Sequence, residues 1–226
     1  MDIQIYEKKL NECADRFEEL FEMLVSYNKM YNLTAITQKN DVFNKHFLDS
    51  IAGESFFKEG ASVCEIGSGG GFPSVPLKII RDDLNFTLIE STGKKCSYLQ
   101  AVVDKFAFKG VKILNIRAED GARKEDLREK FDCAVARAVA RMNTLCEYCL
   151  PYVKPGGVFI AYKGDCDAEL EEAAAAIRIL GGRVERVEKF LIAGEKRSII
   201  VIKKISPTPS AYPRGRGLER KRPIGM

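Results

Sequence analysis

The sequence has a single histidine, His46, and no apolar run of the ~18 residues that a membrane-spanning helix needs. Its first residues, MDIQIYEKKL, carry acids and bases where a signal peptide would have an apolar core, so a cytoplasmic protein is expected. Cysteines number seven, an odd count scattered through apolar stretches. Reduced, buried thiols fit that distribution better than a disulfide framework. Cys146 and Cys149 form a C-x-x-C, but a zinc site would want a second pair or nearby histidines, and His46 is a hundred residues away. The pair lies in an expected helix among Leu145, Tyr148 and Leu150, so it reads as core, and no metal is expected.

Charge is present but unevenly placed. The net charge is +4, and the segment from Ser206 onward holds five basic residues (Arg214, Arg216, Arg220, Lys221, Arg222) against Glu219, which is 5 − 1 = +4. Residues 1–205 therefore balance, and only the tail suggests a polyanionic partner.

Three segments are expected. Residues 1–60 read as a helical extension, in which Leu10, Cys13, Phe17, Leu20, Phe21 and Leu24 recur at three- and four-residue steps. A second helix follows from about Asp41 through His46 and Asp49 to Phe57, with His46 and Asp49 one turn apart and close enough to touch. Residues 61–205 alternate, with strands expected at 62–66, 85–90, 111–116, 131–137, 157–162, 183–189 and 197–204. Helices are expected at 73–81, 93–107, 141–151 and 167–180, with a short one near 122–129. Such alternation implies an α/β fold with a mostly parallel sheet. The short loop at Ala193-Gly194-Glu195 makes the last two strands antiparallel, which gives the seven-stranded, Rossmann-like pattern of class I methyltransferases. Residues 206–226, rich in Pro, Gly and Arg, are expected to stay flexible until bound. No apolar stripe is left over once the helices dock, so a monomer is expected.

The site is expected at Ser62–Phe72, SVCEIGSGGGF, a strand running into a glycine turn. After Gly67 and Gly69 the third fingerprint position is Phe72, and no Gly-Lys-Ser/Thr is present, so neither a dinucleotide nor a triphosphate loop is indicated. Glu65, two residues before the first glycine, suits a cationic ligand without phosphate, and S-adenosylmethionine fits. Glu90 ends the second strand, where a carboxylate accepts both ribose hydroxyls. Arg117, Ala118, Glu119 and Asp120 follow the third, at the level of an adenine edge.

With those residues in place, the chain resembles the bacterial small-subunit ribosomal RNA guanine-N7 methyltransferases, the glucose-inhibited division protein B family. The resemblance rests on Asn32-Leu-Thr-Ala-Ile36, His46-Phe-Leu-Asp49-Ser50, Glu65 through Pro76, Glu90-Ser91 with Lys94-Lys95, Arg117-Ala-Glu119 and Arg137-Ala138-Val139-Ala140. Pro155-Gly-Gly157, Lys163-Gly164, Thr208-Pro209 and Tyr212-Pro213-Arg214 extend it over nearly the whole chain. It implies cofactor contacts at Gly67, Phe72, Glu90, Ser91, Thr92, Ala118, Glu119 and Arg137, and small-subunit ribosomal RNA or the 30S particle as partner. Ser74 departs from the family's usual glycine, and Gly70 from a commoner alanine or proline.

Guanine N7 is an unprotonated lone-pair nucleophile at neutral pH, so an in-line displacement needs alignment and no general base. The Asn/Asp-Pro-Pro-aromatic of amino methylation is missing, and Cys133 lies inside a strand, unlike the nucleophile of pyrimidine methylation. Arg137 and Lys163 are the candidate catalytic residues. Arg137 either holds the cofactor or donates to guanine O6, or it is structural, paired with Asp132 or Glu119. Lys163 faces RNA or solvent. Arg197, Lys203, Lys204, Arg214, Arg216, Arg220, Lys221 and Arg222 are expected to contact phosphates, so removing 207–226 would weaken RNA binding and its salt dependence. Two other readings stay open: a methyltransferase acting on a small molecule or protein, and a non-catalytic ribosome-assembly factor that retains the pocket.

Overall fold

The computed structural model describes residues 1–225. Helices α1 (Ile3–Glu12) and α2 (Ala14–Tyr31) come first, and Asn32 ends α2 in the left-handed conformation. Helix α3 (Lys39–Val42) runs without a break through a π-helical turn, Phe43–Leu48, into α4 (Asp49–Ile51). Strands and helices then alternate through β1 (Ser62–Ile66), α5 (Ser74–Ile80), β2 (Asn85–Glu90), α6 (Gly93–Lys105), β3 (Val111–Asn115), α7 (Ala118–Gly121) and β4 (Phe131–Arg137). Next come α8 (Met142–Cys149), β5 (Val153–Lys163), α9 (Asp167–Glu172), α10 (Ala174–Ile179), β6 (Gly182–Ile192), β7 (Glu195–Lys204) and α11 (Leu218–Lys221).

The seven strands form one sheet in the order β3-β2-β1-β4-β5-β7-β6. The first five pair in parallel, while β7 lies antiparallel to both β5 and β6. This is the expected class I architecture. Ala193 (φ 48°) and Gly194 (φ 77°) both take positive φ, the requirement of a tight hairpin turn whose twist matches its strands. The strand order reverses between β1 and β4, which opens a crevice at their carboxyl ends.

Element boundaries differ from expectation in places. The expected 167–180 helix breaks at Ala173 into α9 and α10, and the short helix lies at Ala118–Gly121 rather than near 122–129. Strand β5 begins earlier, at Val153, and shifts register against β4 between Phe131 and Cys133. The extension is no satellite. Phe17, Leu20, Leu24 and Phe47 share one core with Val63, Leu88 and Val135 on a sheet face. Cys146 and Cys149 are buried in the opposite core, as expected. No helix among the described residues is long and apolar enough to cross a membrane.

The tail departs most from expectation. It is a strap packed along the protein, because buried hydrogen-bonding groups await it. Arg128 donates to the Thr208 and Tyr212 carbonyls at 2.8 and 2.9 Å, and Arg123 to that of Pro213. Thr208 N–H donates to Glu129 and its hydroxyl to the Leu180 carbonyl. The fully buried Glu147 accepts both the Arg214 backbone N–H and its guanidinium, each at 2.7 Å. Ile224 is buried beyond it. Two expected RNA contacts are therefore corrected. Arg214 is spent on Glu147, and Lys204 is fully buried, donating to the Leu150 carbonyl and paired with Glu129. Lys203 stands opposite Val158, whereas Lys163 stands opposite Ser198, so Lys203 is about 17 Å from the carboxyl-end crevice at ~3.3 Å per residue.

Arg214→Ala would leave Glu147 buried without a countercharge, at a cost of about 3 kcal/mol. Urea unfolding should show that loss, and the double variant Glu147→Leu/Arg214→Leu should recover most of it. A single variant as stable as the parent would mean that the strap is not anchored through this pair.

Candidate active site

At the carboxyl end of β1 the chain must turn sharply while staying close to β4. Gly67 does this with φ 69°, and a Cβ there would sit 2.8 Å from Val139. Its N–H and that of Ser68 donate to the Ile89 carbonyl, which ties the loop to β2. Glu90, at the end of β2, clasps the same loop. One carboxylate oxygen accepts the Gly69 N–H at 2.9 Å, and the other accepts the Thr92 N–H at 2.7 Å. Two backbone donors thus hold a nearly buried carboxylate rigid, with lone pairs to spare for two hydroxyls.

These elements wall a cleft of about 470 Å³, lined by Gly67, Glu90, Ser91, Thr92, Ala118 and Glu119, with Ala138 and Val139 on the β4 side. The volume falls in the usual range for small-molecule sites. A diol-matched carboxylate beside a glycine turn suits a nucleoside ligand such as S-adenosylmethionine.

Glu65 faces away from this cleft. It is fully buried behind the loop, where one oxygen accepts the Ser74 N–H at 3.3 Å and the other has no partner among the described residues. Burial pushes its carboxyl up to about 7. Its position is that of a residue supporting the loop from behind. Phe72 also stands back from the cleft, its ring stacked on His46 at 4.5 Å.

A second cleft, about 270 Å³, adjoins the first through Ala138 and is lined by Lys45, His46, Asp49, Arg137, Lys163 and Arg197 among others. Arg137 is its centre. One terminal nitrogen donates to Asp49 at 2.8 Å and to the Lys45 carbonyl at 3.0 Å, and the other donates to His46 Nδ1 at 3.0 Å. The guanidinium also lies 5.0 Å over Phe72, while Arg197 approaches Asp49 at 3.3 Å from the far side. The structural partner of Arg137 is thus Asp49, not Asp132 or Glu119. Asp132 is engaged by Ser62 and Lys154 at the opposite end of the sheet.

Guanidinium groups only donate, so His46 Nδ1 must accept, and its Nε2–H donates to Thr34 Oγ1 at 2.8 Å. Burial and the neighbouring Arg137 push the imidazole down to about 3. His46 is neutral, with both nitrogens used. It does not touch Asp49 as its spacing had suggested; Arg137 joins the two. Lys163 donates to the Ala140 carbonyl at 2.8 Å and pairs with Glu169 at 2.7 Å.

The GidB family, described as rRNA small subunit methyltransferase G, matches residues 14–200. A relative of that name from Brevibacillus brevis is 45% identical over 215 residues, covering 93% of this chain and 90% of its own. Another, from Lactobacillus acidophilus, is 43% identical over 217 residues, covering 92% and 90%. The chain belongs to the ribosomal RNA small subunit methyltransferase G family. Among solved structures, a SAM-dependent methyltransferase from Aquifex aeolicus superposes with a TM-score of 0.56 at 17% identity, over 79% of this chain and 97% of its own. TYW2 of M. jannaschii, solved with AdoMet, gives 0.58 at 14%, over 76% and 80%. These two share the fold. Membership in a methyltransferase family on this fold bears out the expected methyl donor, S-adenosylmethionine.

Asp49, one turn from His46, braces both Arg137 and Arg197. Arg117 reaches the first cleft as expected, and Lys45, Lys95 and Tyr148, for which the sequence carries no local signal, also reach the cleft walls. From the strap, Gly217 and the exposed Arg220 line the first cleft, and Arg216, Lys221 and Arg222 are exposed elsewhere.

Glu65 and His46 pull stability in opposite directions with pH. Glu65 is raised from 4.5 to about 7, so its contribution is complete below pH 4.5 and lost as pH rises toward 7. His46 is lowered from 6.5 to about 3, so its contribution is complete above pH 6.5 and lost as pH falls toward 3. Between 4.5 and 6.5 the two offset one another. Glu65→Gln leaves only the His46 slope, and stability should climb with pH through that window. At pH 8 the variant should exceed the parent by up to about 3 kcal/mol in urea unfolding. Identical pH profiles for variant and parent would refute this account.

Proposed function

We propose that this protein transfers a methyl group from S-adenosylmethionine to guanosine N7 of 16S ribosomal RNA, directly and without a general base. The observation that carries this reading is the pair of adjoining clefts meeting at Ala138, one suited to a nucleoside and the other lined by cations. Bound in the first cleft, S-adenosylmethionine supplies an electrophilic methyl group. Glu90 accepts the ribose hydroxyls, while the Gly67–Gly69 turn leaves room for the chain beside β4.

The second cleft takes the base. Among the described residues the Arg137 Nε–H has no acceptor, so it is free to donate to guanine O6 or to a carboxylate. Arg197 and Lys163 line the same cleft, paired with Asp49 and Glu169, and help to hold its wall. No free base stands there. His46 has both nitrogens engaged, and Asp49 is held by two arginines. An acceptor that must lose a proton would find no taker, whereas guanine N7 needs none. Alignment by Arg137, fixed by Asp49 and His46, is this chain's contribution.

The test incubates purified protein and labelled S-adenosylmethionine with 30S particles, naked 16S RNA or a metabolite pool. Label in RNA guanosine that permits borohydride/aniline strand scission is the expected result. Label confined to metabolites, or none at all, would overturn the reading. Glu90→Gln should weaken binding of S-adenosylhomocysteine by about 10- to 100-fold in calorimetry, because one charge-assisted acceptor for the ribose is lost.

A further inference from the structure

Arg220 was expected on RNA phosphates, but the strap delivers it elsewhere. Together with Gly217 it lines the first cleft, at the end formed by Ala118, Glu119 and Tyr148. This is the level of β3, beyond Glu90, where the purine of a nucleoside held by its ribose would lie. We propose that the strap is a wall of the methyl-donor cleft and that Arg220 is a cofactor-binding residue, its guanidinium lying against the adenine moiety. This inference rests on the reading of that cleft as the S-adenosylmethionine site.

Three observations support it. First, Gly217 and Arg220 sit in a segment fastened on both sides. Arg214 is locked to the buried Glu147, and Ile224 is buried. Between them the fully buried Glu219 accepts the Gly215 N–H, while its carbonyl accepts the Thr144 hydroxyl at 2.8 Å. The strap is thereby joined to α8, which begins just after the Arg137–Val139 turn of the site. Second, Arg220 lies beside the Tyr148 hydroxyl and opposes the rise that burial imposes on it, with Glu119 also near. Arg220 is exposed, as Arg216, Lys221 and Arg222 are, but of these four only Arg220 lines the cleft, together with Tyr148 and Glu119. Third, a planar, weakly hydrated guanidinium suits the face of a purine, a contact worth more when water is excluded. A lysine there would supply charge without the plane.

A consequence follows for the tail's electropositive character. Of its five basic residues, Arg214 is committed to Glu147 and Arg220 to the cofactor, which leaves Arg216, Lys221 and Arg222 exposed for phosphate. Removing the whole tail would abolish donor binding and destabilise the fold at once, so single substitutions in the full chain are the informative variants.

The experiment is calorimetric titration of S-adenosylhomocysteine into the full-length parent, Arg220→Ala, Arg220→Lys, Arg216→Ala and Glu90→Gln, with thermal unfolding and 16S RNA filter binding alongside. Arg220→Ala is expected to raise Kd about tenfold with unchanged thermal midpoint and RNA affinity, and Arg220→Lys to recover little. Arg216→Ala should bind S-adenosylhomocysteine like the parent. Parental affinity in Arg220→Ala overturns the inference, and a loss of RNA affinity with cofactor affinity intact returns Arg220 to the phosphate contacts. Failure of the parent to bind, or binding indifferent to Glu90→Gln, is a separate result that removes the reading of the cleft itself and this inference with it.

Discussion

The buried Arg137 cation is the constraint on which the arrangement of this protein turns. A guanidinium at a strand end, nine-tenths shielded from water, is tolerable only if its donors are met. Asp49, His46 and the Lys45 carbonyl meet them, and all three come from the N-terminal extension. The extension therefore cannot be an independent domain. Its π-helical turn carries His46 and the start of α4 carries Asp49 at the spacing that lets both reach Arg137, while Phe72 from the glycine loop stacks beneath. Glycine loop, Arg137 and extension thus form one connected unit.

That unit divides the crevice in two. Ala138, the residue after Arg137, has φ 56°, and the turn it makes forms part of both cleft walls. On one side the rigid Glu90 carboxylate offers acceptors to a neutral diol; on the other Arg137, Lys163, Arg197 and Lys45 line the wall, each paired with a carboxylate. Two adjoining clefts hold two bound partners side by side, the arrangement in which orientation lowers a barrier. The neutral His46, with both ring nitrogens bonded, holds Arg137 in position.

Buried carboxylates do the corresponding work at the other end of the chain. Glu147 is fully buried and the strap brings Arg214 to satisfy it, while the strap's own buried Glu219 accepts the Gly215 N–H. Low-complexity composition did not predict this order, because the partners of the strap lie far away in sequence, Glu147 by 67 residues from Arg214. A Pro-, Gly- and Arg-rich end cannot build a core of its own, but it can complete one that already waits for it.

The sequence by itself determined the sheet, its antiparallel last pair and the position of the glycine turn. These depend on local signals: period-two runs, glycines where φ must be positive, and carboxylates at strand ends. Glu90, Ser91, Thr92, Ala118 and Glu119 were expected together at strand ends for that reason, and all line one cleft. Only the tertiary structure decided what the charged side chains do. Glu65 has the spacing of a ligand contact but faces the loop, Lys204 has the look of a phosphate contact but is buried, and Arg220 lines the first cleft. A charge's role depends on which partner reaches it and how much water remains, and both depend on residues that the fold brings from far along the chain.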